Sequence, residues 1–325
     1  MLIPGFMTSL YPEIEPFNHF FLETDSPHQV YVEQCGNPQG IPVVFLHGGP
    51  CSGCRPEHRR FFNPELYHII LLDQRGSGRS LPFGEIRNNT TQDLINDLEQ
   101  IRQQLKISQW LLFGGSWGAA LALLYAQQYP EQVSSMILRG VFLARQKDLD
   151  WFIDEGAGRI YPEYWQNLLH SMPQEPLKHG LLEALTHSIF AADEVTRKRI
   201  TRAWMMWSGQ TALGPYYDPA REPEHISEKM VKQVQMEMHY AKNRYFIAEN
   251  QILENCPTIQ HIPCMIIHGR MDIVCPAEAG FSLSKALPDA DFSILPTAGH
   301  VAAGNEMISA LVNATDKMHP KIQTG

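Results

Sequence analysis

The stretch WLLFGGSWGAALALLYAQQYP, residues 110–130, constrains this chain more than any other. Trp110-Leu111-Leu112-Phe113 is apolar without polar alternation, which reads as a strand buried on both faces. Residues 119–129 are mostly strong helix formers, stopped by Pro130. Only the glycine-rich turn Gly114-Gly115-Ser116-Trp117-Gly118 separates the two. A strand covered on both sides and passing straight into a helix is the unit of a parallel sheet layered between helices.

The rest of the first 143 residues repeats that unit. Residues 19–23 and 29–34, separated by Asp25-Ser26-Pro27, predict a hairpin. Residues 43–46 and 68–72 predict further buried strands, and 135–139 another. Leu94, Leu98, Ile101 and Leu105 form a helical stripe. From about residue 145 to about 255 strand-like runs vanish and helical patterns dominate. Trp151, Trp165, Trp204 and Trp207 fall there, four of the chain's six tryptophans. Strand texture then resumes at 264–267 and 292–295. The expected fold is α/β, a mostly parallel doubly wound sheet with an inserted helical cap over its carboxyl edge. The expected division is core over 1–144, cap over 145–255 and core again over 256–325.

Gly114-x-Ser116-x-Gly118 between strand and helix fits a nucleophile elbow, in which a tight turn projects the serine hydroxyl from the sheet edge. A serine needs a base, and the base an orienting acid, expected in the chain order Ser, Asp or Glu, His. Asp272 lies in His268-Gly269-Arg270-Met271-Asp272, just past the strand at 264–267. His300 lies in Thr297-Ala298-Gly299-His300, past the strand at 292–295. Of the 14 histidines, His300 alone satisfies both chain order and a loop after the last strand. His47 and His268 also adjoin strands and read as loop anchors. The oxyanion of an acyl-transfer intermediate needs two backbone donors. Those expected are the amides of Trp117 and of Gly49, the latter in His47-Gly48-Gly49-Pro50.

Other motifs carry less. Cys51-Ser52-Gly53-Cys54 lacks the companions that a redox or zinc site requires and reads as a small-residue loop. Asp73-Gln74-Arg75-Gly76-Ser77-Gly78-Arg79-Ser80 lacks the third glycine of a dinucleotide loop and reads as structural. A net charge of −9 with no basic stretch argues against nucleic acid or an anionic membrane as partner. No apolar run approaches the ~18–20 residues of a membrane span. The N-terminal residues show no secretory pattern. A cytoplasmic location with free thiols is therefore expected, and the Asn88, Asn89 and Asn313 N-x-T triplets read as chance.

HGGP, DQRGSGRS, NNTT, GGSWG, LRGVF, HGRMD and AGH together resemble the proline iminopeptidases (prolyl aminopeptidases) of the α/β-hydrolase superfamily, from about Tyr11 to about Asp316. The resemblance implies an α/β-hydrolase fold and a metal-independent serine mechanism without cofactor. It implies as substrate a peptide with a free N-terminus, from which a first residue, typically proline, is released. It carries the triad onto Ser116, Asp272 and His300 and the oxyanion donors onto Gly49 and Trp117. Two family glutamates bind the substrate amine. Glu237 in Glu237-Met238-His239-Tyr240 matches one, whereas Ser208 in Trp204-Met205-Met206-Trp207-Ser208-Gly209 stands where the other is expected. Phe142 matches the ring pocket, and Tyr240 completes the motif with Glu237. Phe152 replaces a tyrosine, Ala241 an aromatic residue, and Cys51 a glycine. These departures leave open a second reading, a capped hydrolase of esters or small amides with no free-amine requirement.

Overall fold

A computed structural model describes residues 9–24 and 27–323. Asp25 and Ser26 of the expected hairpin turn, and residues 1–8, lie outside them. Eight strands form one sheet: β1 (Asn18–Glu23), β2 (Gln29–Gly36), β3 (Ile41–Leu46), β4 (Tyr67–Leu72), β5 (Trp110–Gly115), β6 (Val133–Arg139), β7 (Cys264–Gly269) and β8 (Asp291–Leu295). Their order across the sheet is β1-β2-β4-β3-β5-β6-β7-β8. β2 is antiparallel to both β1 and β4, and every other pair is parallel.

The unbroken apolar runs follow from cover on both faces. Val44, Leu46, Ile70, Leu72, Leu112, Leu138 and Ile266 face one core, with α1 (Thr91–Gln104) and α2 (Trp117–Gln128) packed on it. Their alternates Val43, Phe45, Ile69, Leu71, Phe113, Ile137 and Ile267 face the other. Each such side chain, fully buried, contributes roughly 1.5–3 kcal/mol. α2 is buried from Trp117 to Ala126, so it is apolar all round rather than striped. α1 begins earlier than the stripe at Leu94 because Thr90 and Asp93 cap it reciprocally.

Between β6 and β7 the described chain is helical: α3 (Gln146–Ile153), α4 (Glu155–Gly158), α5 (Pro162–Ser171), α6 (Gln174–Leu177), α7 (Leu181–Ala191), α8 (Glu194–Leu213), α9 (Glu228–Lys242) and α10 (Gln251–Glu254). This helical block has its own core around Trp165, Trp204 and Trp207. α9 bridges two cores, sending Val234 and Met238 into the block and Met236 and Tyr240 toward the sheet. Arg145 ties the block's entry to α11 (Ala277–Ala286), bonding Asp148 at 2.7 Å and Glu278 at 2.9 Å. The final helix, α12 (Asn305–Gln323), covers the second face through Met307, Leu311 and Val312. β8 is the sheet's edge and its least buried parallel strand.

Candidate active site

β5 runs on through Gly114 and Gly115, and Ser116 forms the joint before α2. Its backbone sits at φ 57° and ψ −125°, a conformation that costs a non-glycine residue on the order of 1–3 kcal/mol. The glycine at 118 is required by close approach, since a Cβ there would lie 2.0 Å from the Leu46 carbonyl oxygen. The turn is therefore clamped between β5 and the end of β3, and it holds the Ser116 side chain at the sheet's carboxyl edge.

Three loops bring the chemistry together. His300 Nε2 lies 3.1 Å from Ser116 Oγ. Its Nδ1 lies 2.8 and 3.0 Å from the two Asp272 carboxylate oxygens. With Nδ1–H donating to Asp272, Nε2 is left to accept from the serine hydroxyl. The Cys275 amide also donates to Asp272, at 2.8 Å. Burial alone would favour the neutral Asp272 carboxyl, but the His300 imidazole and that amide hold it below the ordinary value. Arg139 donates to the His300 carbonyl from behind. His268 is an anchor, as expected: Nε2–H donates to the Cys275 carbonyl at 2.7 Å and Nδ1 accepts from the Val141 amide.

The expected oxyanion segment passes against the nucleophile. A Cβ on Gly48 would stand 3.2 Å from the Gly115 carbonyl oxygen and 3.3 Å from Ser116 Cβ, a tight contact that glycine spares the approaching loop. Gly49 follows at φ 115°. Trp117 opens α2, where amides have no partner within the helix. Both expected donor segments are braced by Gln74. Its side chain accepts from the Trp117 indole at 2.9 Å and donates to the His47 carbonyl at 2.9 Å, while its amide donates to His47 Nε2 at 3.0 Å. Asp73 and Arg79 in the same loop pair at 2.7 Å, and Arg75 forks onto Asp97. The Cys54 thiol donates to the Leu72 carbonyl and that of Cys51 approaches the Gly76 carbonyl. Among the described residues no group of three or more His, Cys, Asp or Glu could hold a metal.

The residues expected to recognise the substrate divide. Glu237 accepts from the Trp204 indole at 2.6 Å and, more weakly, from the Gln233 amide at 3.4 Å. The protein packed around it pushes its pKa up, and no cation offsets that. Ser208 turns its hydroxyl to the Met205 carbonyl of its own helix, at 3.2 Å. Phe152 packs edge-on to Trp204, and Phe142 edge-on to Tyr245. Tyr240 is 1% exposed and donates to Asn89 Oδ1 at 2.7 Å. It therefore joins the helical block to the core rather than facing an opening.

Three residues contribute that sequence reasoning missed. Gln74 and Asn89 were visible only as members of DQRGSGRS and NNTT. Asn89 also donates to the Arg75 and Glu85 carbonyls and accepts from His239 at its own carbonyl. Tyr245 carries no motif at all.

Comparisons with known proteins bear on the family and the fold. A profile of the alpha/beta hydrolase fold matches residues 41–305. A proline iminopeptidase of Xylella fastidiosa is 44% identical over 314 residues, 95% of this chain and 99% of the relative. One from Arabidopsis thaliana is 41% identical over 312 residues, 95% of this chain and 82% of the relative. A thermophilic esterase from Thermogutta terrifontis superposes with a TM-score of 0.60 at 17% identity, covering 94% of this chain and 99% of that one, which speaks to the fold alone. No helix among the described residues is long and apolar enough to cross a membrane. The chain belongs to the α/β-hydrolase fold family and, within it, to the proline iminopeptidases.

Proposed function

We propose that the protein is a serine exopeptidase that releases N-terminal proline, and other small first residues, from peptides through an acyl-enzyme. Ser116 attacks the first peptide carbonyl as His300 Nε2 takes its proton, and Asp272 stabilises the resulting imidazolium. The Trp117 and Gly49 amides receive the developing oxyanion. Collapse expels the shortened peptide, whose new amine takes the proton from His300. Water, deprotonated by the same imidazole, then frees the first residue from Ser116. The helical block over 145–255 serves as the cap that closes the site around one residue. No metal or redox cofactor has a part in this sequence of steps.

The observation that carries the reading is Glu237. It is a partly buried carboxylate that, among the described residues, accepts from an indole and an amide and has no cationic partner. Such a group gains most from a positive partner, and the α-ammonium of a peptide supplies one. The six free thiols support a reducing cytoplasm as the setting.

Chromogenic amides of proline, alanine and N-acetylproline, run beside a simple ester, test the proposal. Cleavage of the proline amide that N-acetylation abolishes is the expected result. Indifference to acetylation, or turnover of the ester alone, would instead support the hydrolase without an amine requirement that Ser208 favours.

A further inference from the structure

Arg244, Tyr245 and Phe246 have φ of 49°, 53° and 56°, three consecutive non-glycine residues in the left-handed region. That region is visited by single residues, mostly Gly, Asn or Asp, and an aromatic residue is a costly occupant. Backbone strain of this kind persists where the surroundings enforce it, often at a functional site. Here Thr91 Oγ1 donates to the Tyr245 carbonyl and pins the turn to α1. The conformation sends the Tyr245 ring inward, to 5.2 Å from Trp117 and 4.9 Å from Phe142, ring centre to ring centre. It packs against both the core beneath Ser116 and the core of the helical block. Burial raises its hydroxyl's pKa, and the nearby Cys275 thiol and the Glu237 and Asp148 carboxylates raise it further. No hydrogen bond engages that hydroxyl within the described residues.

We propose that Tyr245 is a specificity-determining residue: its ring forms the pocket wall that Ala241 is too small to supply, and its hydroxyl accepts from the substrate ammonium beside Glu237. Ser208 leaves that second position unfilled, because its own hydroxyl is turned to a helix carbonyl. The pocket then favours a compact, ring-shaped first residue and crowds a long branched one. This rests on the exopeptidase reading above.

The test measures kcat and KM for proline and leucine 2-naphthylamides in the parent, Tyr245→Gly, Tyr245→Asn and Tyr245→Phe, with Tm for each. Gly and Asn remove the ring yet tolerate this φ, so the strain they relieve offsets part of the packing lost with the ring. Both should lower the proline-to-leucine ratio of kcat/KM about tenfold, mostly through KM. Tyr245→Phe should keep the ratio and raise KM for both amides about threefold. A ratio unchanged in both ringless variants overturns the proposal. So does an equal loss on both substrates, which a merely structural ring would produce whatever the change in Tm. Failure of the underlying reading shows separately, in the unaltered protein, as cleavage of N-acetylproline amide as fast as proline amide.

Discussion

Asp272 on the sheet edge and Glu237 in the helical block are both shielded carboxylates, held in opposite ways. Asp272 meets an imidazole through both oxygens and a backbone amide, and its pKa is held down. Glu237 has two neutral donors, one of them weak, and its pKa is pushed up. The first has its charged partner within the protein. In the proposed function the substrate ammonium supplies the second with one. The difference extends to the surroundings: Ser116 is held in a strained backbone and Gly118 against the Leu46 carbonyl, whereas Ser208 and Phe152 are held by side-chain contacts within the helical block.

Breaking the sheet-edge half should have the largest effect. Ser116→Ala should lower kcat by roughly 10⁴–10⁶-fold, and Asp272→Asn by about 10⁴-fold by losing the tautomer that leaves Nε2 an acceptor. Labelling by a serine-directed phosphonate should vanish in the first. Comparable activity in Ser116→Ala would dissolve the comparison, since the complete half would then not be the reacting one.

The helical-block half predicts a different signature. Glu237→Gln should raise KM for proline amide by about 10–100-fold, from the loss of a charged hydrogen bond of about 1.5–3 kcal/mol, with kcat changed far less. Because the folded state holds the Glu237 proton more tightly than the unfolded chain, its contribution to stability is largest in acid. That contribution declines as pH rises from the ordinary glutamate value through the raised one. Asp272 contributes with the opposite sign, present above the ordinary aspartate value and lost as pH falls through its lowered one. Glu237→Gln should thus be no less stable than the parent at neutral pH. It should also lack the part of the acid-side rise in KM that protonation of Glu237 causes. Parallel pH profiles of KM in parent and variant would remove Glu237 from amine recognition.

The smallest effect tests the seam between the halves. Asn89→Ala strips the partner of the buried Tyr240 hydroxyl and should cost about 1–3 kcal/mol in denaturant unfolding. An unchanged midpoint would mean that the seam is held by apolar contact alone.

The sheet-edge half was legible in the sequence because each of its residues is tied to a strand end. Ser116, Asp272 and His300 each follow an apolar run by a few residues, and parallel strands deliver their carboxyl ends to one side. Strand ends were underestimated where glycine took part in pairing, as at Gly114 and Gly115 opposite Leu138 and Arg139. The other half was legible only where a family motif fell. Tyr240 shared its motif with Glu237 yet lies buried against Asn89, because successive residues of a helix point to different sides. Tyr245 was invisible for a stronger reason: its left-handed backbone contradicts every local preference of tyrosine, so only the assembled surroundings explain it.

His300 hangs from the loop after β8, the outermost and least covered strand of the parallel run. The general base of the proposed mechanism therefore depends on the margin of the sheet rather than its centre, and fraying at that margin would part imidazole from alcohol while the inner strands stayed paired. Thicker cover over β8 should therefore lengthen the half-life of activity on heating while leaving every reacting group untouched, which timed thermal inactivation would check.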